Sequence, residues 1–190
     1  NMTKANFKVL CADVYKEDGT PIFDANYTYT TKSGVKVGFF GMETPETQTK
    51  TNPALIKGLK FDTDLKAVAE KQVEALKDAD IVICLAHLGV DAESEPYRST
   101  DLYAAVKGID FIIDGHSHTV MTKGEKGEPI QSTGTAFANI GVIVIDDATK
   151  KIESNSLFEI KEDTAKDETV AAAAKVIVDR VNKEYGAVFA

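Results

Sequence analysis

The stretch Asp80-Ile-Val-Ile-Cys-Leu-Ala-His87 is apolar between its two polar ends. Such a run is typical of a strand at the buried centre of a parallel sheet. A second and shorter apolar run, Asp110–Asp114, follows it along the chain, and Ser99–Val106 between the two has the spacing of a short helix. A strand, a helix and a strand in succession usually place the two strands side by side and parallel. The sequence therefore predicts an α/β fold.

The flanking sequence predicts further strands and helices around this unit. The segments 27–31 and 35–41, separated by the turn Lys32-Ser-Gly34, indicate a hairpin. Asp62 or Thr63 is expected to cap a helix over residues 62–77, and Gly186 to end a helix that begins near Asp167. Additional strands are predicted at residues 7–14, 129–133, 140–146 and 152–160.

The composition narrows the class of protein. Hydrophobic residues make up 43% of the 190 residues and charged residues 27%, which is typical of a globular chain. No apolar run is long enough to cross a membrane. The net charge is −8, and only Arg98 and Arg180 are arginines, which argues against binding a nucleic-acid duplex. A phosphorylated substrate would need a metal or another domain to balance its charge. Cys11 and Cys84 lie in apolar segments and are expected to be free buried thiols.

All three histidines of the chain follow the two central strands. His87 ends the first strand, and His116 and His118 follow the second after Asp114-Gly115. The carboxyl ends of neighbouring parallel strands are where sites form in open α/β sheets, so the three imidazoles are expected to converge. In an extended His-x-His segment, both rings point to one side. Imidazoles suit Zn, Mn, Fe, Co or Ni, and the pattern predicts a metal site.

Other interpretations of these residues remain open. A single histidine at a strand end is more often a hydrogen-bonded structural residue than a ligand. A mononuclear site with an open fourth position would also use three histidines, although no general base is obvious nearby. Ser117 lies in a near match to a nucleophile elbow, but Thr119 replaces the last glycine and no suitable later histidine exists. Asp114 could accept a hydrogen bond from a metal-binding histidine and so fix its tautomer, or it could serve in a turn.

Three segments resemble the 5'-nucleotidase branch of the calcineurin-like metallophosphoesterases. Ala86-His-Leu-Gly89 and Asp110-Phe-Ile-Ile-Asp-Gly-His-Ser-His-Thr119 are similar to the last two metal-binding motifs of that branch. The segment Val35-Lys-Val-Gly-Phe-Phe-Gly-Met-Glu-Thr-Pro-Glu-Thr47 resembles a Gly-x-x-Thr-Pro-Glu-Thr stretch of the same proteins. The tail around Lys166-Asp-Glu168 resembles the start of a helix that links two domains. The resemblance covers nearly the whole chain.

The resemblance implies a dinuclear phosphoesterase. His87 and His116 would be ligands of one divalent metal and His118 a ligand of the other, with Asp114 as a candidate for support behind a ligand. The family uses two ions, here expected to be Zn or Mn, to activate a water that hydrolyses nucleotide phosphate monoesters. The full-length protein is therefore expected to be a 5'-nucleotidase-type enzyme.

The sequence also departs from the family pattern. The family's motifs Asp-x-His, Gly-Asp and Gly-Asn-His-Glu are absent from these residues, and so is its C-terminal nucleoside-binding domain. The resemblance thus implies that residues 1–163 are the C-terminal half of a catalytic domain, which is half of an α/β sandwich with a mixed sheet and flanking helices. Residues 164–190 would begin the linker helix to the absent domain. We therefore assign no catalytic residue here and expect this chain alone to be inactive.

Several alternatives and consequences follow from this assignment. Relatives in the same branch act on 2',3'-cyclic nucleotides and 3'-nucleotides, on nucleotide sugars or on NAD, and a non-catalytic metal-binding or interaction module is the alternative of a different class. The expected partners are a nucleotide and the missing N-terminal half and C-terminal domain. An apolar sheet face left uncovered predicts dimerisation or a retained partner fragment. The resemblance implies a periplasmic, extracellular or cell-surface location.

Overall fold

The structure is a computed structural model that describes residues 5–186, and it divides into two compact units at Glu159/Ile160. The first unit contains ten strands and three α-helices among its described residues, and the second contains one long helix. The elements are β1 (Val14–Lys16), β2 (Asn26–Thr30), β3 (Lys36–Glu43), α1 (Thr47–Lys50), β4 (Leu59–Phe61), α2 (Leu65–Ala75), β5 (Ile81–His87), α3 (Ser99–Ala105), β6 (Phe111–Asp114), β7 (Val120–Met121), β8 (Ile130–Thr133), β9 (Asn139–Asp146), β10 (Lys151–Glu159) and α4 (Glu168–Tyr185).

A six-stranded mixed sheet forms the centre of the first unit. Its strand order is β2-β3-β5-β6-β8-β7, in which β3, β5, β6 and β8 are parallel and the two edge strands are antiparallel to their neighbours. Two antiparallel pairs, β1 with β4 and β9 with β10, lie outside this sheet. The predicted α/β class, the parallel central strands and the hairpin before them are confirmed.

The alternation of side chains along β5 explains how both faces of the sheet are covered. Val82 and Cys84 point to one face, where they are buried in a cluster with apolar residues of α2 and α3. Ile81 and Ile83 point to the other face, where isoleucines of β9 and the start of β10 pack against them. Because β5 is apolar on both faces, it lies inside the sheet and has a strand on each side. Helices α2 and α3 therefore cover one face of the sheet, in agreement with the predicted flanking helices, and the β9–β10 pair covers the other face.

The start of the described chain differs from its prediction. Residues 7–14 do not form a strand: Phe7 is 69% exposed, Leu10 makes an isolated bridge to Asp24, and the strand β1 begins at Val14. This segment instead packs across β3, where Ala12 N donates to the carbonyl of Gly41. Gly41 permits this approach because a Cβ there would lie 2.0 Å from the carbonyl oxygen of Leu10.

The helix boundaries are close to those predicted. Helix α2 begins two to three residues later than expected, and its cap is Asp64, whose carboxylate accepts from Ala67 N at 3.0 Å, rather than Asp62 or Thr63. Helix α4 is capped by Asp167 and ends before Gly186, as predicted. Its role as a linker to a further domain stays a prediction. No helix within residues 5–186 is long and apolar enough to cross a membrane. Both cysteines are free and buried, as expected.

Candidate metal centre

Two of the three histidines meet at the carboxyl edge of the central sheet. His87 is the last residue of β5, and His116 follows β6, the parallel neighbour of β5, by two residues. The two ring centroids are 5.1 Å apart and the ring planes are inclined by 68°. Residues 29 apart in sequence are therefore adjacent in space because parallel pairing aligns the ends of their strands. His87 is exposed and His116 is half-buried.

Asp114 fixes the backbone on which both histidines sit. Its Oδ1 accepts from the amides of Leu88 at 3.0 Å, Gly89 at 3.3 Å and Gly115 at 2.8 Å, and its Oδ2 accepts from the Ser99 hydroxyl. The carboxylate is buried, and these bonds tie the residues after His87 to the residues before His116. Its hydrogen bonds thus go to main-chain amides and a hydroxyl rather than to an imidazole. Direct support of a histidine ring by Asp114 stays a prediction.

The ring of His116 packs closely against Gly89. The backbone of His116 has φ +75°, a left-handed conformation that is uncommon for residues other than glycine. Its Cδ2 lies 3.1 Å from the position that a Cβ would take at Gly89, which itself has φ +81°. Glycine is therefore required at position 89 both for its backbone angle and for the close approach of the ring.

Glu46 contacts His116 and was not singled out by the sequence analysis. Its Oε2 lies 2.9 Å from His116 Nε2, and its Oε1 lies 2.7 Å from Lys50 Nζ. The hydrogen bond from Lys50, followed by that from His116, holds the pKa of the Glu46 carboxyl below its usual value. Glu46 belongs to the Thr-Pro-Glu-Thr stretch after β3, and β3 is the other parallel neighbour of β5. Its position after β3, at the edge of the sheet that carries His87, is the feature that could have identified Glu46 as a site residue.

His118 lies outside the ring contact that joins the other two histidines. Its side chain is exposed, and its backbone has φ +54°. The expectation that both rings of His-Ser-His point to one side assumes an extended segment, but His116 and His118 both adopt left-handed backbone angles, so that reasoning does not apply to this segment. Within residues 5–186, no three His, Cys, Asp or Glu side chains are arranged to hold a metal ion. The ligand roles of the three histidines stay predictions.

An apolar cleft of about 550 Å³ opens beside His87. Leu85 and Ile113, which lie near the carboxyl ends of β5 and β6, line it together with Phe23, and Glu43 and His87 contribute polar groups. Leu85 is 36% exposed although it lies on a central strand. The cleft is thus the place where the sheet face is left open near the paired histidines. Dimerisation through such a face stays a prediction.

The paired imidazoles fit part of a metal centre. They provide two nitrogen donors on neighbouring backbone segments that Asp114 ties together. Nitrogen donors suit Zn and Mn, among other transition metals. Two donors are fewer than the three protein ligands that a catalytic zinc site has. Within residues 5–186, the paired imidazoles alone thus do not make a complete metal site.

Comparison with known proteins identifies relatives that hydrolyse phosphoesters. The chain is 37% identical over 95 residues to the trifunctional nucleotide phosphoesterase YfkN of Bacillus subtilis, a match that covers 48% of this chain and 6% of that protein. It is 30% identical over 125 residues to the 5'-nucleotidase of Vibrio cholerae, covering 60% of this chain and 22% of that protein. The chain thus spans a small part of these relatives. No family model matches it.

The fold has a counterpart among solved structures. The calcineurin-like phosphoesterase YfkN of Bacillus subtilis superimposes with a TM-score of 0.76 at 22% sequence identity, covering 95% of this chain and 64% of that chain. At this identity the superposition concerns the fold alone. The central sheet, the helices on one of its faces and the β9–β10 pair on the other are accordingly an arrangement seen in an experimentally determined phosphoesterase.

Proposed function

We propose that the full-length protein hydrolyses nucleotide phosphate monoesters. The chain belongs to the 5'-nucleotidase branch of the calcineurin-like metallophosphoesterases and corresponds to a C-terminal part of those proteins. The observation that carries this proposal is the pair of imidazoles, His87 and His116, with ring centroids 5.1 Å apart at the carboxyl edge of the sheet. From the resemblance to the family motifs, these two residues would be ligands of one metal. His118 would serve the second ion.

The residues of this chain would hold and orient the metal-binding groups rather than transfer protons. His87 and His116 each offer a nitrogen lone pair, and Asp114 keeps their backbone segments together. Two divalent ions, Zn or Mn, would supply the Lewis acidity and the activated water of the reaction. The charge of the chain supports this role for the metal ions, because acidic residues outnumber basic ones to give a net charge of −8, and only two of the 22 basic residues are arginines.

The proposal includes a dependence on residues outside this chain. The family's remaining ligands and its transition-state histidine lie in motifs that these 190 residues lack. We therefore expect the isolated chain to hold at most one weakly bound ion and to release phosphate far more slowly than the full-length protein. The location proposed from the family is periplasmic, extracellular or at the cell surface, which fractionation of cells with an antibody to the chain would test.

Phosphate release is the direct test of this function. The full-length protein, equilibrated with Zn²⁺ or Mn²⁺, is assayed with AMP, 2',3'-cyclic AMP and NAD, and its metal content is measured by elemental analysis. We expect turnover of AMP that falls at least 100-fold in His116→Ala with loss of bound metal. Glu93→Ala is the matched control because Glu93 is an exposed residue near the site. Retained metal with no hydrolysis of any of the three substrates would favour a non-catalytic metal-binding module instead.

A further inference from the structure

The contact between Glu46 and His116 determines which nitrogen of the histidine is free. Glu46 Oε2 lies 2.9 Å from Nε2, and an ionised carboxylate accepts but does not donate, so Nε2 carries the proton of this bond. A neutral imidazole with a proton on Nε2 has its lone pair on Nδ1. We propose that Glu46 is a positioning residue that presents His116 to a divalent metal through Nδ1. This inference rests on the proposed function.

The surroundings of the ring agree with this orientation. The Cδ2 side of the ring faces Gly89, and Nε2 faces Glu46, so two adjacent ring positions are occupied by protein. Among residues 5–186, no hydrogen bond reaches Nδ1 of His116. Nδ1 is therefore the ring nitrogen left for a ligand. A hydrogen bond on the other ring nitrogen is the usual way in which proteins set the tautomer of a metal-binding histidine.

Glu46 itself is held firmly in place. Its side chain is 12% exposed and that of His116 20%, so the pair is largely shielded from water. The carbonyl of Glu46 accepts from the amides of Thr49 at 2.9 Å and Lys50 at 2.8 Å, which anchors its backbone to the first turn of α1. Lys50 Nζ, 2.7 Å from Oε1, fixes the second carboxylate oxygen. The carboxylate therefore has one oxygen for the lysine and one for the histidine.

The tautomer is measurable in the chain as it stands. The chain has three histidines, so ¹⁵N labelling of histidine followed by long-range ¹H–¹⁵N correlation at pH 8 gives a resolvable spectrum. We expect His116 to be protonated on Nε2 in the metal-free chain. Glu46→Ala should abolish this preference, and Glu46→Gln should retain much of it because the amide oxygen still accepts a hydrogen bond. Glu93→Ala, which removes an exposed carboxylate that makes no contact with the ring, should leave the tautomer unchanged.

Metal affinity in the full-length protein is the second measurement. Loss of such a supporting carboxylate typically weakens metal binding about 10–100-fold, and we expect Glu46→Ala to weaken Zn²⁺ binding by that factor and Glu46→Gln by less. A proton on Nδ1 in the wild-type chain, or an unchanged tautomer and Zn²⁺ affinity in Glu46→Ala, would overturn the inference. Absence of nucleotide hydrolysis by the Zn²⁺-loaded protein, with the tautomer and affinity results as expected, would overturn the proposed function and leave the role of Glu46 intact.

Discussion

Replacement of Asp114 by alanine should both destabilise the fold and loosen the histidine pair. The Asp114 carboxylate accepts from three main-chain amides and from the Ser99 hydroxyl in a buried position. Alanine removes all four bonds and leaves the three amides without an acceptor. Two of these amides follow His87 and the third precedes His116, so the loss falls on the two segments that carry the rings.

The magnitude follows from the number of orphaned amides. A buried donor left without a partner costs about 1–3 kcal/mol. Three such donors give a lower bound of about 3 kcal/mol, and water that enters the space left by the carboxylate should keep the total near 3–5 kcal/mol. A chain of this size loses roughly 2 kcal/mol of unfolding free energy per molar urea, so the urea midpoint should fall by about 1.5–2.5 M.

Urea unfolding of the 190-residue chain, followed by circular dichroism, measures this change. Asp114→Asn should lose less, because one carbonyl oxygen remains for the amides. Asp110→Ala is a matched control: Asp110 precedes the same strand and accepts from a single amide, that of Val82 at 2.7 Å, at an exposed position. It should cost about 1 kcal/mol. If Asp114→Ala is no more destabilising than Asp110→Ala, the view that this carboxylate organises the edge of the sheet is wrong.

Three further predictions concern other parts of the chain. Burial raises the pKa of the Asp13 carboxyl from 3.8 to about 7; the folded chain therefore retains a proton that the unfolded chain releases, and unfolding free energy should fall between about pH 4 and 7 by up to about 4 kcal/mol. Urea midpoints at pH 5 and pH 8 measure this change. Asp13→Asn should make the difference between the two midpoints smaller, and an equal difference in both proteins would contradict the prediction. Gly89→Ala should weaken Zn²⁺ binding in calorimetric titrations of the full-length protein, because its Cβ would meet the His116 ring at 3.1 Å, whereas Gly19→Ala, with no neighbour within 4 Å, should not. Burial raises the pKa of Cys11 to about 12 and that of Cys84 well above its usual value, so both thiols should react with iodoacetamide only in denaturant, and mass spectrometry showing labelling of the folded chain would refute this.

The sequence predicted those elements whose side-chain pattern is repeated over several turns or residues. Strand β5 was identifiable because every residue from Ile81 to Ala86 is apolar, and its position in the sheet followed from that. The segment 7–14 has a similar apolar content, but it forms a single bridge and crosses β3 at Gly41. Periodicity cannot separate a strand from an irregular segment buried by close backbone approach, because both require apolar side chains.

The candidate site likewise has one part that the sequence pattern predicts and one part that it does not. The meeting of His87 and His116 depends on strand order and direction, which the strand–helix–strand pattern supplies. The place of His118 depends on the backbone angles of His116 and His118, and non-glycine residues give little warning of left-handed angles. The expectation of three converging rings treats the segment as extended; the structure brings His87 and His116 together, and the convergence of His118 with them stays a prediction.

Glu46 illustrates what strand register adds to the interpretation of a motif. Strand β3 pairs in parallel with β5 so that Glu43 lies opposite His87, and the chain then turns into α1 within a few residues. Any polar residue in that turn is held at the edge of the sheet where the histidines lie. The Thr-Pro-Glu-Thr stretch thus has a physical reason to carry a carboxylate: it places an acceptor 2.9 Å from Nε2 of His116. Three parallel strands, β3, β5 and β6, therefore each deliver one member of the cluster, and Glu46 and His116 meet beyond the end of β5, the strand that lies between β3 and β6.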